Sequence, residues 1–569
     1  MQVRPGTIAR PREVLLLAFA AVALAILMTW PLATGLSRLG RTAPTDADGQ
    51  FSIWNVSWVA RTLVADPLHV FDANIFAPHR TTLAYSEANL LPGVVGIPAW
   101  WLTRNPWLTL NTAMLLAFAS AFAGAYLFFL YVSGSRPAAA AAGVLYAFCP
   151  YVMSHLSHIQ LLFTGGIPLS LYWLHRLADA CRREPAAGEP GDAAAGVGWT
   201  VPIALGLTLA AQALACAYYG VFAGLIVGYA TLVLASTRRL WRSRSWWQAI
   251  ATAGILALAV TVPVFIPYLR VQRDTGFART VDDTARWAAR PIDYLVSAAH
   301  AHAPLLDYAR RAGPWLEVLF PGYIAVFLGA AGIVFALRRR SAHRETALVY
   351  GTLGLLALWA SFGPRAGLYR VLYDLPTFSF LRAPSRLGLV VIMVLALFAC
   401  LAISDLLARL PPRLRGAFGA LAVLAAIADV AVFPIRWFAA PVIPDGYATL
   451  THRARAPVAE FPFYGDRVAF PLHAQYMLFS TAHWLPLVNG YSDVIPADFR
   501  RDAPILDSFP SSDAFAALAR HRVRYITVHW DMYVNRQEEI RRRLEPYRAN
   551  LNELSSNDRM TIYEVIAYP

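Results

Sequence analysis

The feature that most constrains this chain is a succession of apolar runs, each long enough to cross a lipid bilayer. A transmembrane helix needs roughly 20 mostly apolar residues. By that measure about eleven spans follow, at 14–33, 108–132, 137–153, 159–178, 200–216, 218–235, 246–268, 316–337, 346–362, 387–408 and 415–434. The run 90–103 is apolar but short and Pro-rich, and it reads as a re-entrant or interfacial piece. The chain is 57% hydrophobic and 15% charged, where soluble proteins carry ~25% charged residues. Disorder is excluded, and the expected fold class is an α-helical polytopic membrane protein. The first run follows Arg4, Arg10 and Arg12 and is long for a signal peptide, so it reads as an uncleaved helix.

Arginine carries the whole basic set, for the chain has no lysine. With the N-terminus inside, the clusters Arg136, Arg182–Arg183, Arg238–Arg244, Arg338–Arg344 and Arg409–Arg415 all fall on the cytoplasmic side. The net charge of +14 therefore reflects membrane topology, not nucleic-acid binding. This orientation leaves 34–107, 269–315, 363–386 and everything after 440 outside. A membrane domain over 1–440 is expected, followed by a small extracytoplasmic α/β domain over 441–569. In that second domain 458–463, 523–530 and 560–566 read as strands, and 512–521 and 536–544 as helices. The loop 183–199 reads as a cytoplasmic linker. The four cysteines sit in or beside apolar runs and give no disulfide or metal spacing. No internal repeat supports a transporter.

The candidate chemistry begins in the first outer loop with Asp46-Ala47-Asp48-Gly49. In an extended segment, residues i and i+2 share a face. Asp46 and Asp48 would then converge on one substrate or one divalent ion, Mg or Mn, and near lipid one of them would be raised into a base. The following segment, 51–65, reads as amphipathic and interfacial. Pro78-His79-Arg80 and Glu87 close the loop, with Glu87 as a second acid. His155 and His158 share a helix face at an outer span end. Arg382 and Arg386, in Leu-Arg-Ala-Pro-Ser-Arg, break the bias of basic residues toward the inside, and arginine suits phosphate oxygens. Glu317 and Asp429 lie in or near apolar runs, where an acid needs a partner or a cavity. His483 and Tyr491 belong to polar, aromatic segments suited to stacking on sugar rings. Against these stand plainer readings: an Asp-rich turn, an aromatic belt at Tyr218-Tyr219, and headgroup contacts.

With these residues the chain resembles the GT-C superfamily of polytopic membrane glycosyltransferases, such as the protein mannosyltransferase-like enzymes that use polyprenyl-phosphate sugars. The likeness covers the layout of the whole chain. It is closest to a group of bacterial membrane proteins with a first-loop Asp-Gly, a Leu-Phe-Pro-Gly (Leu319–Gly322), an Arg-Ala-Pro-x-Arg (Arg382–Arg386) and an Asn-Gly-Tyr-Ser (Asn489–Ser492). The resemblance implies an inverting transfer to a glycan, lipid or protein acceptor on the outer face of a bacterial cytoplasmic membrane. Asp46 or Asp48 would be base or metal ligand, Glu87 would assist, and His79, Arg80, His155, His158, Glu317, Arg382, Arg386, His483 and Tyr491 would bind substrate. The alternative is a non-catalytic lipid- or glycan-binding or assembly protein of the same fold.

Overall fold

The computed structural model describes residues 11–41, 43, 46–183, 198–338, 342–375 and 381–569. The linker expected at 183–199 and the arginines 339 and 340 fall largely outside these residues.

Helices dominate. The first ten are α1 (Pro11–Met28), α2 (Ala47–Ala65), α3 (Leu90–Thr103), α4 (Pro106–Ser133), α5 (Arg136–Ala147), α6 (Pro150–Ser154), α7 (Gly166–Arg183), α8 (Thr200–Ala215), α9 (Ala217–Thr237) and α10 (Arg244–Thr275). Among the described residues, six helical segments are long and apolar enough to cross a membrane: α1, α4, α5 with α6, α9, α10, and Pro384–Arg409. Thr200–Ala215 and Tyr323–Arg338 are apolar but shorter. The expected span at 316–337 starts late, because Glu317 to Pro321 is not helical and the helix begins at Tyr323. Asp429 explains that start: its carboxylate accepts the backbone N–H groups of Tyr323 (3.2 Å) and Ile324 (3.0 Å) and pairs with His302 (3.0 Å). A buried acid is thus consumed in capping a helix N-terminus. The run 90–103 forms one helix of 14 residues, about 21 Å long and short of the ~30 Å hydrocarbon core.

The segment 51–65 does not lie on a surface. Ile53, Trp54, Val56 and Val59 are fully buried, and α2 packs between α3, α4 and the C-terminal helix His473–Phe479. Apolar residues occur all round this helix, so it is a core element rather than an amphipathic one.

The basic end of the bundle is tied by ion pairs. Arg238 bridges Asp179 (2.6 Å) and Glu345 (2.7 Å), and Arg136 meets Glu13 (2.8 Å). At the other end sits the C-terminal domain. Its four-stranded sheet uses β3 (Val458–Phe461), β4 (Tyr525–His529), β5 (Leu551–Ser556) and β6 (Met560–Val565) in the order β3-β4-β6-β5. Strands β3 and β4 run parallel, and the other pairs are antiparallel. The expected strands and helices are present, with Ser512–Arg520 capped by Ser511. Strand β5 and the helices His473–Phe479 and Ala497–Asp507 are additional. A minor two-stranded sheet pairs β1 (Leu39–Gly40) with β2 (Phe438–Ala439), joining the end of the first span to the start of this domain.

The loop between α1 and α4 and the C-terminal domain share one core. Trp54, Trp58, Phe76 and Trp100 pack with Phe463, Trp484, Phe499 and Phe515. Phe76 meets the Phe499 ring edge-on at 5.0 Å. Fully burying such rings contributes ~1.5–3 kcal/mol each, so the two segments form a single platform over the bundle.

Candidate active site

Helix α2 starts because Asp46 caps it. Its Oδ1 accepts the Gly49 N–H (3.0 Å), the usual N-cap bond. Its Oδ2 accepts the Ser157 hydroxyl (2.8 Å) and lies 3.6 Å from Arg41 Nε. Gly49 is required by this packing, since a Cβ there would stand 1.9 Å from the Arg41 carbonyl oxygen. Asp48 is already helical. On a helix, i and i+2 are separated by roughly 200°, so the two carboxylates diverge and the extended-segment geometry does not apply. Asp48 Oδ1 accepts the Tyr491 hydroxyl (3.1 Å), and its Oδ2 lies 3.2 Å from His158 Nε2. The hydrogen bond from His158 holds the Asp48 carboxyl below the ordinary carboxylate range, against the opposing effect of burial. Tyr491 is held by its own motif: Gly490 lies against the Phe76 ring, which a Cβ would approach to 2.7 Å. Asn489 exchanges bonds with the Glu460 backbone, giving and receiving at 3.0 and 2.8 Å.

Asp48 and Tyr491 open onto a cavity of ≈ 520 Å³, within the size range of small-molecule sites. Its walls are of two kinds. Val221 of α9 and Phe265 and Leu269 of α10 bring apolar surface from the bundle. Asp48 of α2 and Glu87, His158, Arg382 and Arg386 of the connecting segments bring charge.

Glu87 accepts the N–H of Ala217, the first residue of α9, and its backbone carbonyl accepts Asn55 Nδ2 (3.1 Å). An acid at a helix N-terminus is favoured by the helix dipole. Desolvation nonetheless dominates and pushes the Glu87 carboxyl above the ordinary range; the Ala217 N–H and the Arg386 charge oppose it. Next to Ala217, Tyr218 does two things. Its ring lies under the Arg386 guanidinium at 4.1 Å, and its hydroxyl accepts the Arg382 backbone N–H at 2.6 Å. Arg386 is 9% exposed, and among the described residues its guanidinium makes no ion pair or hydrogen bond. Arg382 stacks over Trp287 (5.0 Å) and reaches Asp493 (3.5 Å), which also binds Arg279 (2.8 Å).

Other sequence candidates lie elsewhere. Glu317 accepts the Ser385 hydroxyl (3.1 Å) and lies 3.5 Å from His155; both support the Arg-Ala-Pro-Ser-Arg element without lining the cavity. His79 binds Asp498 (2.9 Å), fastening the first loop to the C-terminal domain, and Arg80 is exposed beside it. His483 is buried and stacked on Tyr447 at 5.3 Å; burial lowers its pKa to about 3. Asp46 and Asp48 do not face one point. Among the described residues, no three His, Cys, Asp or Glu side chains are grouped to hold a metal ion, so the expected Mg or Mn has no site built from protein side chains alone. Arg279, Gln160, Gln272 and Asp493 line the cavity without having been singled out as site residues from sequence. Arg279 carries the same signal that marked Arg382: an arginine in a connection expected to lie outside.

No protein-family model matches the chain, and no curated protein matches it. Solved structures do. The Archaeoglobus fulgidus oligosaccharyltransferase tethered to an acceptor peptide is 13% identical with a TM-score of 0.50, over 96% of this chain and 72% of that one. ArnT from Cupriavidus metallidurans bound to undecaprenyl phosphate is 13% identical with a TM-score of 0.46, over 99% and 100%. The fold is that of the Archaeoglobus fulgidus oligosaccharyltransferase. At such identity the likeness carries the fold alone, and the chemistry has to be argued from the residues.

Proposed function

We propose that this chain is a membrane glycosyltransferase that moves a sugar from a polyprenyl-phosphate donor to an acceptor hydroxyl, with inversion. The observation that supports it is the meeting of Asp48 with a buried Arg386, free of ion pairs among the described residues, in one cavity that is charged on its loop side and apolar on its α9–α10 side. A lipid phosphate has the same two-sided character. Its chain gains ~0.8 kcal/mol per buried methylene, and Phe265 and Leu269 offer the surface for it. Its phosphate takes the arginine fork.

In the reaction, the acceptor oxygen attacks the anomeric carbon as the bond from that carbon to the phosphate oxygen breaks. The bonding pair leaves with the phosphate, and the acceptor proton passes to the Asp48 carboxylate. The phosphate changes from a singly charged diester to a monoester of about −1.5 to −2 charge. Arg386 and Arg382 stabilise the added charge as it develops. Tyr491 and His158 orient Asp48. Glu87 is a positioning residue: it fixes the start of α9, and with it the Tyr218 ring beneath Arg386. Asp46 holds the helix that carries Asp48. No step is routed through a metal. The arginine-rich bundle end opposite the C-terminal domain supports a site on the extracytoplasmic face of a bacterial cytoplasmic membrane.

The test compares Asp48→Asn with Asp46→Asn in proteoliposomes supplied with a radiolabelled polyprenyl-phosphate sugar and membrane extract as acceptor source. Asp48→Asn abolishes transfer and Asp46→Asn retains it, both inserting normally. Full activity of Asp48→Asn removes this mechanism. Absence of transfer by the wild-type protein across lipid-linked donors favours the non-catalytic reading.

A further inference from the structure

A second cavity, of ≈ 470 Å³, lies where the ends of α2 and α3 meet the Thr481–Trp484 turn of the C-terminal domain. Its walls include Arg61, Arg104, Trp100, Trp101 and Trp484, with no carboxylate among them. The arginines lie on the indoles: Arg104 is 3.9 Å from the Trp101 ring centre, and Arg61 is 5.5 Å from that of Trp484. Among the described residues, neither guanidinium makes an ion pair or hydrogen bond. Burial, followed by the charges of Arg455 and Arg104, lowers the Arg61 pKa, and the charge of Asp66 opposes them. Asp66, the nearest acid in sequence, is engaged with His69 at 2.8 Å. Trp100 is 2% exposed and its buried indole N–H has no acceptor. The site therefore presents two guanidinium groups with no carboxylate in the wall beside them, which favours an anion. Leu68, three residues beyond Ala65 of the wall, and Leu102, between Trp101 and Arg104, are 90% and 84% exposed. Cationic and tryptophan side chains beside exposed leucines fit the headgroup layer of a membrane.

We propose that this cavity binds a phosphate oxyanion, presented by a lipid headgroup at the membrane surface. The inference does not depend on glycosyl transfer. Arg61 and Arg104 clasp the phosphate, and Leu68 and Leu102 touch the acyl chains.

The test is photolabelling of the purified full chain with a short-chain phosphatidic acid carrying a diazirine in its acyl chain, with adducts mapped by mass spectrometry. Adducts are expected on 98–104 and 481–484. The double variant Arg61→Gln/Arg104→Gln lowers them about tenfold or more, while adducts in the Asp48 cavity stay unchanged. Arg61→Lys/Arg104→Lys keeps the charge and retains most of the labelling, which separates binding from misfolding; the single Arg104→Gln serves if the double variant fails to fold. Millimolar inorganic phosphate that erases the adducts assigns the site to phosphate ions generally, and persistence assigns it to the lipid. Equal labelling by a neutral diacylglycerol probe, no adducts at these segments, or undiminished adducts in the glutamine variants overturns the proposal.

Discussion

Replacing Arg386 by glutamine tests the charge arithmetic of the site. The guanidinium is almost buried, stacks on Tyr218 at 4.1 Å, and makes no ion pair among the described residues. No carboxylate occupies its fork, so the guanidinium is available to a ligand. Two unit charges ~4 Å apart interact by about 4 kcal/mol at an effective dielectric of ~20. A charge-assisted hydrogen bond contributes ~1.5–3 kcal/mol net. Only the part that grows as the sugar–phosphate bond breaks accelerates the chemical step. That part is about 3 kcal/mol, the scale of one oxyanion donor, and corresponds to a roughly 10²-fold fall in kcat. Arg386→Lys keeps the charge but loses the planar fork and should fall about tenfold. The assay is transfer from a labelled polyprenyl-phosphate sugar in proteoliposomes, with thermal unfolding of each variant measured in parallel. The loss of the ring contact, ~0.5–2 kcal/mol, shows in the melting temperature and not in kcat. Arg386→Gln that folds and turns over within about threefold of wild type refutes the assignment, since no ~3 kcal/mol electrostatic role survives such a result.

Further outcomes follow from the same geometry. His158→Ala removes the bond that holds the Asp48 pKa down, so the acid limb of the pH–rate profile moves to higher pH; a limb that stays put or moves lower contradicts the role given to His158. Asp46→Ala costs ~0.5–2 kcal/mol of stability as a lost cap, read as a lower melting temperature, whereas Asp46→Asn stays near wild type. Asp502 is held well below the ordinary carboxylate range, first by Arg501 and also by Arg520 and His521, and His521 in turn lies 3.3 Å from the Ala77 carbonyl of the first loop. A depressed folded-state pKa gives stability that is fully present above the unfolded value of ~3.9 and is lost as pH falls through the folded one. Asp502→Asn therefore lowers the melting temperature at neutral pH, and the gap to wild type closes in acid. Gly490→Ala drives a methyl against the Phe76 ring and costs ~1–3 kcal/mol, with thermal unfolding as the readout.

Much of this architecture was legible in the residues, for identifiable reasons. Apolar runs located the helices because insertion into lipid leaves few alternatives to a helix. The arginines at 382 and 386 stood out by sitting where topology disfavours them, and they line the cavity. Asp48, Glu87, His158 and Tyr491 reach the same space from three separate parts of the chain. Local pattern failed where local geometry was assumed. The Asp46–Asp48 pairing required an extended segment, yet an aspartate ahead of a helical run is an N-cap signal, and capping turned the two carboxylates apart. The segment 51–65 looked interfacial because it follows a span; its partners, Trp100 and the helix His473–Phe479, lie far along the chain. His79 and His483 are chemically versatile residues spent on packing and docking. Glu87, not an aspartate, carries the raised pKa, because desolvation depends on the fold around a group and leaves no trace in its neighbours in sequence.

The most direct measurement is a structure of the protein in a lipid nanodisc with an added polyprenyl phosphate. The account predicts the phosphate within hydrogen-bonding distance of the Arg386 guanidinium, facing Asp48, with the prenyl chain running along Phe265 and Leu269 of α10. A phosphate bound away from Arg386, or a cavity closed to lipid and filled by protein side chains, contradicts it.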